Sequence, residues 1–224
     1  MTKTIAVIPA RGGSKRLPNK NILPLGGLPL LAHSVLYAKA NAEIDEVYVS
    51  TDSEKIKEVA MMHGAKVIDR PESISGDNEP TITALQHILQ EVTADTIVLL
   101  QPTNPLRPAN LLSECFALYR ERNASSLFTV TRNHQKFGKI SDGKFIPFNY
   151  QPGQRSQDLE PLYFENGLLY ICSSETIKKG EIITENSIPF ITDDIFSSVD
   201  IDTEADFAYA EYLYKTHFQN DSIH

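Results

Sequence analysis

Strand and helix patterns alternate along the first 130 residues of this chain. Short apolar runs predict four strands, at residues 5–8, 47–50, 66–68 and 96–100. Apolar positions at helical spacing predict three helices between them, over residues 28–42, 54–63 and 81–92. The run at 96–100 shows no alternation, which is typical of a central parallel strand. We therefore predict an α/β fold, a three-layer sandwich around a mostly parallel sheet.

Residues 131–162 interrupt this pattern. They contain several glycines and prolines, short strand-like pieces such as 144–148, and no helix of useful length. A segment this long without its own core is usually functional or packs on another surface. An arm exchanged with a second subunit meets both conditions.

The α/β pattern resumes with a strand at 168–172 and closes with a helix over 204–214. We predict a single domain over residues 1–218, with 131–162 as an arm inserted in it, and a flexible tail at 219–224. The ends of the predicted parallel strands should meet at one rim of the sheet, where ligands bind in such folds.

Residues 11–20, directly after the first strand, form a strongly positive stretch. They contain Arg11, Gly12, Gly13, Ser14, Lys15, Arg16 and Lys20. The first acidic residue of the chain is Glu43, although the formal net charge is -8. Glycines let backbone N–H groups approach an anion, and the cations would neutralise phosphate charge. The stretch matches neither the P-loop nor G-x-G-x-x-G. We predict a polyphosphate site, and the alternative is a solvated basic turn.

Asp200 and Asp202 are the second candidate. They alternate with Val199 and Ile201, so at strand spacing both carboxylates should face the same side. Two hard oxygen ligands on one face suit Mg²⁺ that is bound jointly with substrate phosphates. The alternative is that Asp202 only N-caps a helix beginning near Thr203.

Two further polar stretches have simpler explanations. Gln101 follows the central strand and could hydrogen-bond a polyhydroxylated ligand, but spacing alone favours a polar turn there. Asn166 and Gly167 form an Asn-Gly pair, which is a hairpin-turn signal.

Composition limits the function classes. The chain is 41% hydrophobic and 22% charged, as expected for a globular protein. No apolar run approaches the ~20 residues of a membrane span, and no signal peptide is apparent. Cys115 and Cys172 are far apart and lack metal-ligand spacing, so we expect reduced thiols in a cytoplasmic protein. The acidic balance argues against nucleic-acid binding.

Six motifs carry a resemblance along nearly the whole chain: IPARGGSKRLPNKN, STDS, RPESISGD, LLQPTNPLR, ENGLLYI and SVDIDTEADF. In this order they resemble the CMP-N-acylneuraminate synthetases, sialic acid cytidylyltransferases with relatives that act on other nonulosonic acids. The first motif is shared with the CMP-Kdo synthetases, whereas KNIL, QPTNPLR and SVDIDTE look like the nonulosonate branch. The resemblance implies a Rossmann-like nucleotidyltransferase fold, CTP and a nonulosonic acid as substrates, Mg²⁺ as cofactor, and a homodimer.

The resemblance also implies residue roles. The nucleotide would be bound by Arg11, Gly12, Gly13, Ser14, Lys15, Lys20, Arg70, Asp77 and Thr81. The sugar would be bound by Gln101, Thr103, Asn104, Arg155, Asn166 and Gly167. The catalytic residues would be Lys15, Lys20, Asp200 and Asp202, with the two carboxylates as ligands of Mg²⁺. Residues 132–162 correspond to the family's dimerisation arm, from which Arg155 would reach the neighbouring site.

Three other functions remain open at this point. They are a cytidylyltransferase for an eight-carbon 2-keto sugar of the Kdo type, a non-catalytic sugar-nucleotide sensor, and a domain that binds ATP or GTP. Among nonulosonic acids, ENGLLYI looks closer to the sialic and legionaminic branches than to the pseudaminic one. The sequence identifies no general base.

Overall fold

The computed structural model describes residues 2–218. The strands are Thr4–Pro9 (β1), Pro24–Leu25 (β2), Leu28–Pro29 (β3), Glu46–Thr51 (β4), Lys66–Asp69 (β5), Thr96–Leu99 (β6), Ser126–Asn133 (β7), Gly138–Ser141 (β8), Lys144–Pro147 (β9), Leu162–Ser173 (β10) and Ile188–Ile191 (β11). The helices are Leu30–Lys39 (α1), Glu54–Met62 (α2), Thr81–Glu91 (α3), Leu111–Glu121 (α4), Ser174–Lys178 (α5) and Glu204–His217 (α6). The tail predicted at 219–224 lies outside the described residues.

Seven strands form one sheet in the spatial order β11-β7-β10-β6-β1-β4-β5. Strand β10 runs antiparallel to both of its neighbours, and the other pairings in this sheet are parallel. The prediction of a mostly parallel sheet is therefore confirmed. Because β1, β4 and β6 are parallel neighbours, their carboxyl ends share one rim of the sheet.

Helices cover both faces of this sheet. Ala6 and Ile8 of β1 pack into a core with α1, α2 and α4, whereas Ile5 and Val7 pack into a core with α3 and α5. Burial on both faces explains why the central strands read as uninterrupted apolar runs. Within residues 2–218, no helix combines the length and the apolar character that crossing a bilayer requires.

Some element boundaries differ from the sequence prediction. The first helix begins at Leu30 and not at residue 28, because Leu28–Pro29 pairs with Pro24–Leu25 in a two-stranded ribbon. Strand β10 begins at Leu162, six residues before the predicted start. The sequence pattern also gave no bounds for α4 or β7, and none for β11 or α5, which are only four and five residues long.

The Asn-Gly pair does not form the predicted hairpin turn. Asn166 and Gly167 lie inside β10, where the register with β7 shifts between Glu165 and Tyr170. Gly167 has φ +74°, which glycine adopts without the strain of a side chain. The prediction was wrong because a bulge in a long strand uses the same residue types as a tight turn.

A third, smaller core joins the two ends of the chain. Leu17 from the basic stretch packs with Val199 and Ile201 and with Leu213 of α6. Val199 and Ile201 are therefore both directed inward, and the alternation predicted for this segment is present. Residues 199–202 do not form a strand of the sheet, however. They follow a 3-10 turn at Ile195–Ser198. This core holds residues 199–202 against the stretch that follows β1.

Both cysteines are free and buried. Burial raises the pKa of the Cys115 thiol, and it raises the pKa of Cys172 to about 12. We therefore expect neither thiol of the native protein to react with a disulfide reagent at pH 8, and both to react after denaturation. Spectrophotometric titration of thiols with and without denaturant measures this. One rapidly reacting thiol per native chain would contradict the burial of these residues.

Candidate active site

A cavity of about 400 Å³ opens at the rim where β1 and β6 end. We call it the basic cavity. Its charged lining residues are Arg11, Lys15, Arg16, Lys20, Arg70, Asp77, Glu79 and Asp202. Cations outnumber carboxylates in this lining, although the whole chain is acidic. The structure therefore brings the early cations and the late carboxylate Asp202 together in one place.

Asp77 pairs with two of the cations. Arg11 Nη1 lies 2.6 Å from Asp77 Oδ1, and Lys15 Nζ pairs with the other carboxylate oxygen. The hydrogen bonds from Lys15 and then Arg11 hold the pKa of Asp77 below its usual value. The exposed carboxylate of Asp77 thus holds the side chains of Arg11 and Lys15. A polyanion that entered the cavity would compete with Asp77 for these two cations.

Asp202 pairs with the other two cations of the basic stretch. Lys20 Nζ lies 2.7 Å from Oδ1, and Arg16 Nη2 lies 2.5 Å from Oδ2. Partial burial acts to raise the pKa of Asp202, but Lys20 and Arg16 outweigh it, so the pKa lies below its usual value. Asp202 is therefore ionised at neutral pH.

Asp202 is not the N-cap of the last helix, so the alternative explanation for this residue is wrong. The cap is Thr203, whose side chain accepts a hydrogen bond from the backbone N–H of Asp206 in a capping box. Because Thr203 and Asp206 satisfy the helix terminus, the carboxylate of Asp202 is available to the basic cavity.

The two glycines of the basic stretch do not line this cavity. The N–H of Gly12 donates to Asp52 Oδ1 at 2.8 Å. A Cβ at Gly12 would lie 2.9 Å from Ser53 Cβ, so the absent side chain permits this close approach. Gly12 therefore attaches the basic stretch to the end of β4, while Gly13 has open space around it.

Arg70 and Thr81 complete one wall of the basic cavity. Arg70 Nε donates to Ser50 Oγ at 3.0 Å, and Nη2 donates to Ser50 O at 2.6 Å. Burial lowers the pKa of this guanidinium relative to its ordinary value. Thr81 is the first residue of α3. These two predicted nucleotide-binding residues thus occupy fixed positions beside the flexible cations.

A second cavity, of about 390 Å³, adjoins the β10 bulge, and we call it the bulge cavity. Its lining residues are Gln101, Asn104, Phe164, Glu165, Asn166, Gly167, Tyr170, Ser197, Ser198 and Asp200. Gln101 lines both cavities, which makes them neighbours. Burial, together with Glu165 and Asp200, raises the pKa of Tyr170. Asp200 thus faces the bulge cavity, whereas Asp202 faces the basic cavity.

The predicted sugar-binding residues divide into three groups by position. Gln101 and Thr103 line the basic cavity. Asn104, Asn166 and Gly167 line the bulge cavity, and the two asparagine side chains are buried and hydrogen-bonded to other protein groups. Arg155 lies in the arm, pairs with Asp158 at 2.8 Å and lines neither cavity of its own chain.

The carboxylate of Asp202 fits a divalent cation that is shared with a polyphosphate. Within residues 2–218, no group of three or more His, Cys, Asp or Glu side chains could hold a metal alone. Mg²⁺ usually takes one or two protein carboxylates and completes its coordination with substrate phosphates and water. The ionised Asp202 meets that requirement beside the cations of the basic stretch, whereas Asp200, two residues away, lines the bulge cavity.

Several residues of this site were not predicted. Arg16 was noted as a cation without a role, and its pairing with Asp202 depends on packing that links distant segments. Asp52 orients Gly12, and Asn21 Nδ2 donates to Arg11 O at 2.9 Å. Glu165 and Tyr170 of the bulge cavity flank the Asn-Gly pair in sequence, and recognising a bulge there would have indicated them.

Sequence comparison finds proteins that are similar to this chain. A cytidylyltransferase family profile matches residues 5–220. The N-acylneuraminate cytidylyltransferase of Streptococcus agalactiae serotype V is 33% identical over 216 residues, which are 92% of this chain and 52% of that protein. The CMP-N,N'-diacetyllegionaminic acid synthase of Legionella pneumophila is 33% identical over 222 residues, 94% of this chain and 96% of that protein. The chain thus spans about half of the first relative and nearly all of the second.

Solved structures show the same fold at lower identity. The CMP:2-keto-3-deoxy-manno-octonic acid synthetase complexed with CTP matches with TM-score 0.73 and 18% identity over 96% of this chain and 99% of that one. The 4-diphosphocytidyl-2C-methyl-D-erythritol synthase of Anaerococcus prevotii matches with TM-score 0.70 and 14% identity over 96% of each chain. With the family profile covering nearly every residue, the chain belongs to the cytidylyltransferase family.

Proposed function

We propose that this protein transfers the cytidylyl group of CTP to a nonulosonic acid of the sialic or legionaminic type, with release of pyrophosphate. The observation that carries the proposal is the basic cavity, where the cations after β1 and the carboxylate of Asp202 meet beside a second cavity. The relatives that act on sialic and legionaminic acids supply the substrate class.

The two cavities divide the substrates between them. The triphosphate would lie in the basic cavity, with Arg11, Ser14 and Lys15 on its oxygens. The base and ribose would lie along the wall formed by Arg70 and Thr81. The sugar would enter the bulge cavity, and Gln101 would contact it where the cavities meet.

The chemistry is an in-line displacement at phosphorus. The anomeric oxygen of the sugar forms a bond to the α-phosphorus, the bond from that phosphorus to the bridging oxygen breaks, and pyrophosphate leaves. The hydroxyl proton passes to solvent. The protein contributes position and charge stabilisation, and Lys15, Lys20 and Arg11 would neutralise the departing charge. Mg²⁺ when bound by Asp202 and Asp200 would neutralise further phosphate charge.

A panel of 2-keto sugars tests this function through pyrophosphate release with Mg²⁺ and each of the four nucleoside triphosphates. We expect release with CTP and a nonulosonic acid, and much slower release with Kdo. Release with Kdo as the best substrate would instead support the eight-carbon alternative. Stabilisation by CTP without turnover on any sugar would support a sensor.

We also propose that the protein is a homodimer joined through its arm. Among residues 2–218, the β8–β9 hairpin pairs with no other strand, and the arm exposes apolar side chains. These are Phe137, Ile140, Phe145, Ile146 and Phe148, which are 45% to 80% exposed. Several large exposed apolar side chains on one hairpin favour an interface with another surface. The unpaired thiols fit a reducing compartment, so we propose a cytoplasmic location.

Charge on the hairpin tests the dimer. We expect Ile140→Asp with Phe145→Asp to convert a dimer to a monomer in sedimentation velocity, because each buries a carboxylate in the proposed interface. The control is Ile183→Asp, at a side chain that is 36% exposed outside the arm. A wild-type protein that sediments as a monomer at all concentrations would contradict the proposal.

A further inference from the structure

We propose that Asn104 is a positioning residue that holds the main chain of Asp200 in place and does not contact either substrate. This inference rests on the proposed function. It assigns to Asn104 a role different from sugar binding, and the hydrogen bonds of its side chain carry it.

The amide group of Asn104 is used entirely within the protein. The side chain is 1% exposed. Its Nδ2 donates to Val199 O at 2.7 Å and to Asn166 O at 3.1 Å. Its Oδ1 accepts from Thr103 Oγ1 at 3.3 Å. Both amide protons are therefore committed to backbone carbonyls, and no donor remains for a ligand.

One of these bonds and a backbone bond to Thr103, the preceding residue, hold the two peptide groups of Asp200. The carbonyl of Val199 belongs to the peptide before Asp200 and accepts from Asn104. The N–H of Ile201 belongs to the peptide after Asp200 and donates to Thr103 O at 2.8 Å. Residues 199–202 pair with no strand among residues 2–218. Their backbone instead hydrogen-bonds to the turn that follows Gln101. The turn thereby sets where the carboxylates of Asp200 and Asp202 lie relative to Gln101.

Gly167 provides the space for this arrangement. A Cβ at Gly167 would lie 3.0 Å from Asn104 Oδ1 and 3.4 Å from Nδ2. The glycine thus serves two purposes at the bulge, its positive φ and the room for the Asn104 amide. A side chain at position 167 should therefore disturb Asp200 through Asn104.

The contact between residues 104 and 167 can be changed at either residue, by Asn104→Ala or by Gly167→Ala. We expect each to lower kcat by about 10- to 100-fold, because small displacements of reacting groups have effects of this size. Midpoint shifts produced by metal-free CTP should stay within about 1 °C of wild type, because the basic stretch is untouched. In the double variant the loss should be smaller than the product of the single losses, because both act on one contact.

Hydrogen exchange supplies a readout that does not depend on turnover. We expect the amide of Ile201 to exchange at least about 10-fold faster in Asn104→Ala. The control is Ser174→Ala, which removes a buried donor to Ala94 O at 2.6 Å at the opposite rim of the sheet, near the start of β6. It should lower the melting temperature and leave exchange at Ile201 and kcat unchanged.

The outcomes separate the two proposals. An Asn104→Ala protein with wild-type kcat, or with unchanged exchange at Ile201, would overturn the positioning role. If Asn104→Ala does not fold, Gly167→Ala gives the same decision. A wild-type protein without turnover on any sugar would instead overturn the proposed function, whatever the exchange data show.

Discussion

Replacing Asp202 by Asn should lower kcat by about 100- to 1,000-fold, the usual effect of removing one charged group from a preorganised site. The carboxylate is held ionised by Lys20 and Arg16 and lies in the cavity proposed for the triphosphate. Without the negative charge of Asp202, Lys20 and Arg16 would lose their charged partner. A metal bound with the triphosphate would lose a carboxylate ligand. Pyrophosphate release under saturating CTP and sugar measures the effect.

The same substitution should not weaken the binding of CTP in the absence of Mg²⁺. Removing a negative charge beside the triphosphate, and freeing Lys20 and Arg16, can only favour an anion there. Thermal-shift titration with metal-free CTP measures this binding. The control is Asp95→Asn, because Asp95 accepts from the N–H of Lys3 at the opposite rim of the sheet, where β1 and β6 begin. Unchanged turnover in Asp202→Asn would remove Asp202 from the mechanism.

Replacing Arg11 by Ala should raise the KM for CTP by about 10- to 100-fold, since charge-assisted hydrogen bonds contribute about 1.5–3 kcal/mol. Arg11 lies in the basic cavity, and its partner there is the exposed Asp77. A triphosphate with a higher charge density would take this guanidinium from the single carboxylate. The substitution should change the KM of the sugar much less.

Arg122→Ala is the matched control for this loss of a cation. Arg122 pairs with the adjacent Glu121 at 3.5 Å at the end of α4 and lines neither cavity. Increasing salt should raise the KM for CTP in the wild type and have a weaker effect in Arg11→Ala, because screening acts on the charge that was removed. Equal KM values for CTP in both variants would place the triphosphate elsewhere.

The sequence could predict the fold where a local pattern decided the structure. The runs at 5–8 in β1 and 97–99 in β6 are apolar throughout because helices cover both faces of the sheet, and that pattern predicted parallel central strands. The bulge at Asn166 and Gly167 was predicted as a turn, because whether a long strand continues past a glycine depends on pairing with β7. The edge strand β11 is too short to carry a pattern.

The site could be predicted as a set of residue types but not as a set of pairs. The cations after β1 and the Asp200–Asp202 segment were both identified, and a core built around Leu17, Val199 and Ile201 brings them together. That the cations would divide between Asp77 and Asp202 depends on this packing. The sequence also could not show that the Asn104 amide hydrogen-bonds within the protein, because its acceptors lie 62 and 95 residues away along the chain.

A crystal structure with CTP and Mg²⁺ tests the central claim most directly, namely that one cavity holds the triphosphate between the basic stretch and Asp202. We expect phosphate oxygens within hydrogen-bond distance of Arg11, Ser14 and Lys15, with a metal ion touching both the triphosphate and Asp202. A triphosphate bound outside this cavity, or an Asp202 that still pairs with Lys20 and Arg16 with no metal beside it, would contradict the account.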